Sequence, residues 1–192
     1  MEEEKLNQIV CCIKFILIFD NRGKLLYGKY YTIKESDQQR EFEKKICILA
    51  KDTNPQNEEL DIINVDNFNI LFKLIGDIAI FIGIDENDNE SLGAEFYKIF
   101  ESNLGTIINY KYTRGIILKN YGKIICLIDE MVNEGIVINT DIDSLERLIE
   151  LRENASSSNT FIDFGNNAIG GSGSLIGSLF SGAKSLFGEI NY

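Results

Sequence analysis

The chain has 192 residues, 44% of them hydrophobic and 10% aromatic, which suffices for one packed domain of roughly 150 residues plus an appendage. Its net charge is -11 and its lysines are interleaved with acids, which argues against a nucleic-acid surface. It contains no histidine, which removes His-based triads, the usual general base near neutral pH and most zinc sites.

The chain begins MEEEKLNQ (1–8), an acidic extension that lacks the basic start of a signal peptide. Cys11, Cys12, Cys47 and Cys126 show no C-x-x-C spacing and read as reduced residues of a cytosolic protein. IVCCIKFILIF (9–19) is apolar on both alternating faces except at Lys14, which predicts a strand buried on both sides of a sheet. It is too short to span a bilayer. DNRG (20–23) turns the chain, and KLLYGKYYTI (24–33) returns as the second strand of a hairpin.

Ser36 with Gln39 reads as a capping box, followed by Phe42, Ile46 and Leu49 at helical spacing. DTNPQNEE (52–59) is a polar loop and DIINV (61–65) a short strand. NFNILFKLIG (67–76) and DIAIFIGID (77–85) are strands joined by a Gly-first tight turn at Gly76-Asp77. DENDNE (85–90) supplies caps for a helix with Leu92, Phe96, Ile99, Phe100, Leu104 and Ile107 on one face. A helix over 118–134 follows, ended by a left-handed Gly135, and Thr140 or Asp141 caps a last helix carrying Ile142, Leu145, Leu148 and Ile149.

This order predicts an α+β domain over 9–153, a five-stranded antiparallel sheet with helices on both faces. A Ser/Gly/Asn-rich linker (154–173) and a tail (174–192) come after it. In the tail, Leu175, Ile176, Leu179, Phe180, Leu186 and Phe187 fit one face of a candidate amphipathic helix whose other face is Ser and Gly. Gly costs such a helix about 1 kcal/mol relative to Ala, so an apolar surface has to order it. A membrane with packing defects is one such surface.

Three apparent sites dissolve on inspection. Asp129 and Glu130 are adjacent carboxylates, but helical neighbours point about 100° apart and cannot converge on one reacting atom. Asp85, Asn87 and Asn89 imitate half of a calcium loop that lacks its Gly and its bidentate Glu. GSLFSGAKS (177–185) misses P-loop spacing by one residue and has no preceding strand. No catalytic, cofactor or metal residues are expected, and no small-molecule substrate. On the 118–134 helix, Tyr121, Ile124, Ile125, Ile128, Met131 and Val132 form the core stripe. Cys126 and Leu127 are apolar but lie off it, which makes them candidates for contact with a protein partner.

FDNRGKLLYGKYY, FEKKI and IDEMVNEGIVINTD, in this order over residues 9–152, resemble the coatomer zeta branch of the clathrin-adaptor small-subunit family. The resemblance implies a longin-like fold and a non-catalytic subunit that heterodimerises with a large subunit, coatomer gamma. It implies recruitment by an Arf-family GTPase and a cytoplasmic protein held peripherally on Golgi and coated-vesicle membranes, serving Golgi-to-ER and intra-Golgi transport. No segment matches the family's cargo pocket, so no cargo-binding residues carry over. The alternatives are a clathrin-adaptor small subunit or a longin-type trafficking module, although the heptads or lipidation site expected of the latter do not occur.

Overall fold

The computed structural model describes residues 12–52 and 59–158. Ile13–Asp20 (β1) is the two-sided strand expected from its composition, and it lies at the centre of the sheet. It pairs antiparallel with Leu25–Tyr30 (β2) on one side and Ile78–Asp85 (β5) on the other. Phe68–Ile75 (β4) and Asp61–Val65 (β3) complete an antiparallel sheet of order β2-β1-β5-β4-β3. Residues 9–11 of the expected strand lie outside the described residues.

The two faces of β1 separate two cores. Phe15, Leu17 and Phe19 pack with Phe42, Ile46 and Ala50 of the helix Ser36–Asp52 (α1). Ile16 and Ile18 face the larger core beneath Glu90–Ile107 (α2), Arg114–Lys119 (α3), Tyr121–Met131 (α4) and Ile142–Ser158 (α5). Ile13 joins this second core because the register shifts between Ile13 and Phe15, and the extra residue reverses the alternation. Lys14, the polar exception in the run, pairs with Asp85 at 3.3 Å.

Turn chemistry sets the hairpins. Asp20 is buried, and its Oδ1 accepts from the amides of Arg22 (3.0 Å) and Lys24 (2.9 Å), which builds the β1–β2 turn. Gly76 opens the β4–β5 turn at φ +57°, as expected. The β3–β4 connection, not anticipated from the sequence, is a two-residue turn in which Asp66 (φ 49°) and Asn67 (φ 67°) are both left-handed. Asn89 caps α2 by accepting from Ser91, and Asp141 caps α5 by accepting from Ser144 at 3.2 Å. Of the calcium-loop imitation, Asn89 is the helix cap, while Asp85 accepts from Asn87 in the turn that precedes it.

Four expectations need correction. Ser36 forms no capping box: it lies within the first turn, and the Gln39 side chain reaches back to the Ile33 carbonyl at 2.7 Å. The helix expected over 118–134 is two, broken at Asn120, and the second ends at Met131. Gly135 (φ 85°) does not end that helix but turns a small hairpin, Val132–Asn133 (β6) with Ile136–Val137 (β7). Residues 154–158, read as the start of a linker, continue α5 through Ser158.

Burial pushes the hydroxyls of Tyr27, Tyr30, Tyr31 and Tyr97 above the usual tyrosine range, and that of Tyr112 up to about 12. The folded state therefore holds these protons more tightly than the unfolded chain. The stability they contribute is complete below pH 10, the ordinary tyrosine value, and drains away as pH rises toward the folded values. The melting temperature is expected to fall progressively above about pH 10. Melts followed by circular dichroism across that range check this.

Candidate partner interface

The two carboxylates of α4 diverge as helical geometry requires. Asp129 pairs with Lys29 on β2 at 3.1 Å, and Glu130 pairs with Arg152 on α5. Neither points at a shared reacting position. Among the described residues, no group of three or more Cys, Asp or Glu side chains stands where it could hold a metal ion.

What the region does build is a surface. Helix α4 runs beside the edge strand β2. The Tyr121 ring lies 5.9 Å from that of Tyr27, Asp129 meets Lys29, and the Tyr31 hydroxyl donates to the Val132 carbonyl at 3.5 Å. The β6–β7 hairpin then docks on the start of β1: the Ile13 amide donates to Gly135 at 2.7 Å, and Cys12 bridges to Ile136. Leu118 (48% exposed) and Tyr121 (40%) stand at one end of this strip, and Ile136 (46%) and Ile138 (58%) on the hairpin segment at the other. Four large apolar side chains, left this open around an unpaired strand edge, form a surface suited to a protein partner.

The residues singled out from the sequence are placed differently. Leu127 is fully buried in the core with Ile124, Ile128 and Met131, so it belongs to the packing stripe and offers no surface. Tyr121 and Ile125, expected on that stripe, are respectively exposed and half-buried. Cys126 is half-buried and its thiol meets the Arg152 side chain, so α5 of the same chain covers this second side. Leu175, Ile176, Leu179, Phe180, Leu186 and Phe187 lie outside the described residues, as does the P-loop imitation. Sequence reasoning passed over Ile136 and Ile138. Their signal was two apolar residues at i and i+2 just after a turn, in an extended segment with room for only one buried face.

Among the described residues, five antiparallel strands, with α1 on one face and four helices on the other, make the longin-like α+β fold of adaptor small subunits. A chain in a homology model of the full-length AP-3 complex in a stretched open conformation shares it, with a TM-score of 0.57 at 18% identity, covering 77% of this chain and 98% of that one. The clathrin adaptor complex small chain family matches residues 12–156, and the chain belongs to that family. Coatomer subunit zeta-3 of Oryza sativa is 27% identical over 135 residues, 69% of this chain and 76% of that protein. Probable coatomer subunit zeta-B of Dictyostelium discoideum is 29% identical over 163 residues, 80% and 89% of the two chains. TSET complex member tstD of the same organism is 26% identical over 143 residues, 73% of this chain and 93% of that one.

Proposed function

We propose that this protein is the non-catalytic small subunit of a coatomer-type vesicle coat, acting by heterodimerisation with a large gamma-type subunit in Golgi-to-ER and intra-Golgi transport. The family match over residues 12–156, joined by several coatomer zeta relatives, carries the reading. The strip of Leu118, Tyr121, Ile136 and Ile138 beside the edge of β2 is the large subunit's docking face, since stable subunit interfaces centre on apolar surface. An Arf-family GTPase acts on the assembled coat and reaches this subunit only indirectly. A second reading, the small subunit of an adaptor-like or TSET-like complex, draws support from the match that spans 93% of tstD.

Affinity purification of the tagged full chain, with its native mass and co-purifying chains identified, tests both. A complex containing a gamma coatomer subunit supports the first reading, and adaptor or TSET large subunits move it to the second. A lone monomer near 22 kDa overturns both.

The tail is proposed to hold the subunit against curved membrane through Leu175, Ile176, Leu179, Phe180, Leu186 and Phe187. Binding of the full chain to small liposomes is expected to be lost in Phe180→Asp or Phe187→Asp. Equal sedimentation of those variants with liposomes would sink the idea.

A further inference from the structure

The end of the sheet that carries the β1–β2 and β4–β5 turns reverses the charge of the chain. From Ser102 to Ile128 the sequence holds Lys111, Arg114, Lys119 and Lys123 and no acid, in a protein of net charge -11. The fold adds Lys24 to this run. Arg114 reaches the Asp20 carboxylate at 3.9 Å, and the same carboxylate accepts from the Lys24 amide. The Asn21 amide donates to the Asp77 carbonyl and the Asp77 amide to the Tyr112 carbonyl, both at 2.9 Å. The two turns and the segment after α2 thus form one corner.

The neighbouring acids are mostly engaged. Asp20 is buried in its turn, Glu101 pairs with Lys73 at 2.8 Å, and Asp129 pairs with Lys29. Arg22 shares the α1 side with Glu43 and is left out of the corner. Asp77 is exposed, set against exposed Lys24, Lys111 and Arg114. Lys24 and Lys111 form no ion pair among the described residues.

Tyr110 stands at the tip of this corner, 65% exposed. Asn109 (φ 53°) and Tyr110 (φ 55°) are both left-handed, in a turn closed by the Lys111 amide on the Ile108 carbonyl at 3.2 Å. Asn tolerates that conformation, but a bulky residue there is strained, and glycine is the usual occupant. Local fit holds the strain in place. The Tyr110 amide donates to the Gly105 carbonyl at 2.7 Å and the Tyr112 hydroxyl to the Glu101 carbonyl at 3.0 Å. Gly105 leaves room for both side chains, since a Cβ there would lie 2.7 Å from the Tyr110 ring and 2.6 Å from the Tyr112 hydroxyl. The Tyr110 ring joins neither core, so the strained turn serves to present it.

We propose that this corner contacts an anionic lipid surface, with Tyr110 at headgroup level and Lys24, Lys111 and Arg114 around it. A tyrosine has the apolar body and polar tip that suit that layer. Each cation at the surface adds attraction that decays within a Debye length, so acids elsewhere on the chain oppose it little. An acidic protein segment fits less well, because these side chains stand outward from separate segments rather than line one cleft. Lys119 and Lys123 flank Leu118 and Tyr121 and are left to the proposed partner strip. The inference rests on the coat reading for its setting, while its test reads the chain itself.

The full chain, alone and with its co-purified large subunit, is sedimented with large phosphatidylcholine vesicles containing phosphatidylserine. Such vesicles have low curvature and few of the packing defects proposed for the tail. Binding is expected in both forms, weaker on phosphatidylcholine alone and falling as salt is raised. Lys24→Glu with Lys111→Glu should weaken it about tenfold or more with the melting temperature unchanged, since both side chains are exposed. Tyr110→Gly should weaken it about threefold without lowering the melting temperature, because it releases the left-handed strain. A lowered melting temperature in Tyr110→Gly would make the ring a structural brace and overturn the proposal. Absence of binding, equal binding by either variant, or equal binding to phosphatidylcholine alone overturns it too. So does binding lost in the complex, or binding lost in Phe180→Asp but kept in the charge variant. Capture of a polyglutamate peptide or an RNA oligomer in place of the vesicles counts against it equally. Co-purification reads the large subunit separately, so a failed coat assignment is distinguishable from a failed lipid site.

Discussion

Gly83→Ala is expected to destabilise the domain by about 3 kcal/mol, although it adds a single methyl group. Gly83 lies opposite Phe15 in the central β1–β5 pair, and a Cβ there would sit 2.2 Å from the Phe15 ring. That ring has nowhere to go. It is fully buried, with Phe42 edge-on at 5.1 Å, Phe68 at 5.7 Å and Tyr30 at 6.1 Å. Relief requires spreading β1 from β5 or tilting α1 away, and either opens the aromatic cluster to voids. For a domain of this size the cost is a drop of roughly 6–12 °C in melting temperature. Phe15→Leu loses ring contacts by itself, but combined with Gly83→Ala it should cost less than the two single changes summed, because the clash is removed with the ring. An unaltered melting temperature in Gly83→Ala would refute this account of the centre of the sheet.

The sheet was legible because its signals are local and redundant. A two-sided apolar run can only be central, and Gly76-Asp77 between two apolar runs leaves little choice but a hairpin. The role of Gly83 was not legible, since a close approach depends on which side chain stands opposite. The shift between Ile13 and Phe15 was hidden for a similar reason: where both faces are apolar, a reversed alternation leaves no trace. The start of the expected linker, residues 154–158, misled through composition. Once α5 is nucleated by the Asp141 cap and the buried Leu145 and Ile149, adding residues to its end costs little.

The candidate partner surface was less legible than the fold. The expected stripe lies almost wholly within α4, but the face that α4 buries is Ile124, Leu127, Ile128 and Met131, turned toward Leu127 and away from Tyr121 and Ile125. An apolar residue off an assumed stripe therefore signalled a wrong phase, not an interface. The divergence of Asp129 and Glu130 survived because it depends only on the angle between neighbours in a helix, whatever its phase.

Gly135→Ala is expected to damage both the fold and the partner surface. Gly135 sits at φ +85°, where an L side chain is strained, and its Cβ would lie 2.6 Å from the Ile13 carbonyl oxygen. Ile13 is fixed in the central strand, so the hairpin must lift, giving up the Ile13–Gly135 hydrogen bond and the bridge from Cys12 to Ile136. Strain and the lost hydrogen bonds together should cost about 2–4 kcal/mol. Lifting also displaces Ile136 and Ile138, so co-purification of the large subunit should fall with the melting temperature. Ile138→Ser separates the two effects. Its side chain is exposed, so stability should stay within about 0.5 kcal/mol while capture of the large subunit drops. If Ile138→Ser captures the partner as well as the unaltered chain does, the hairpin end of the strip is a structural brace for β1 and no part of the interface.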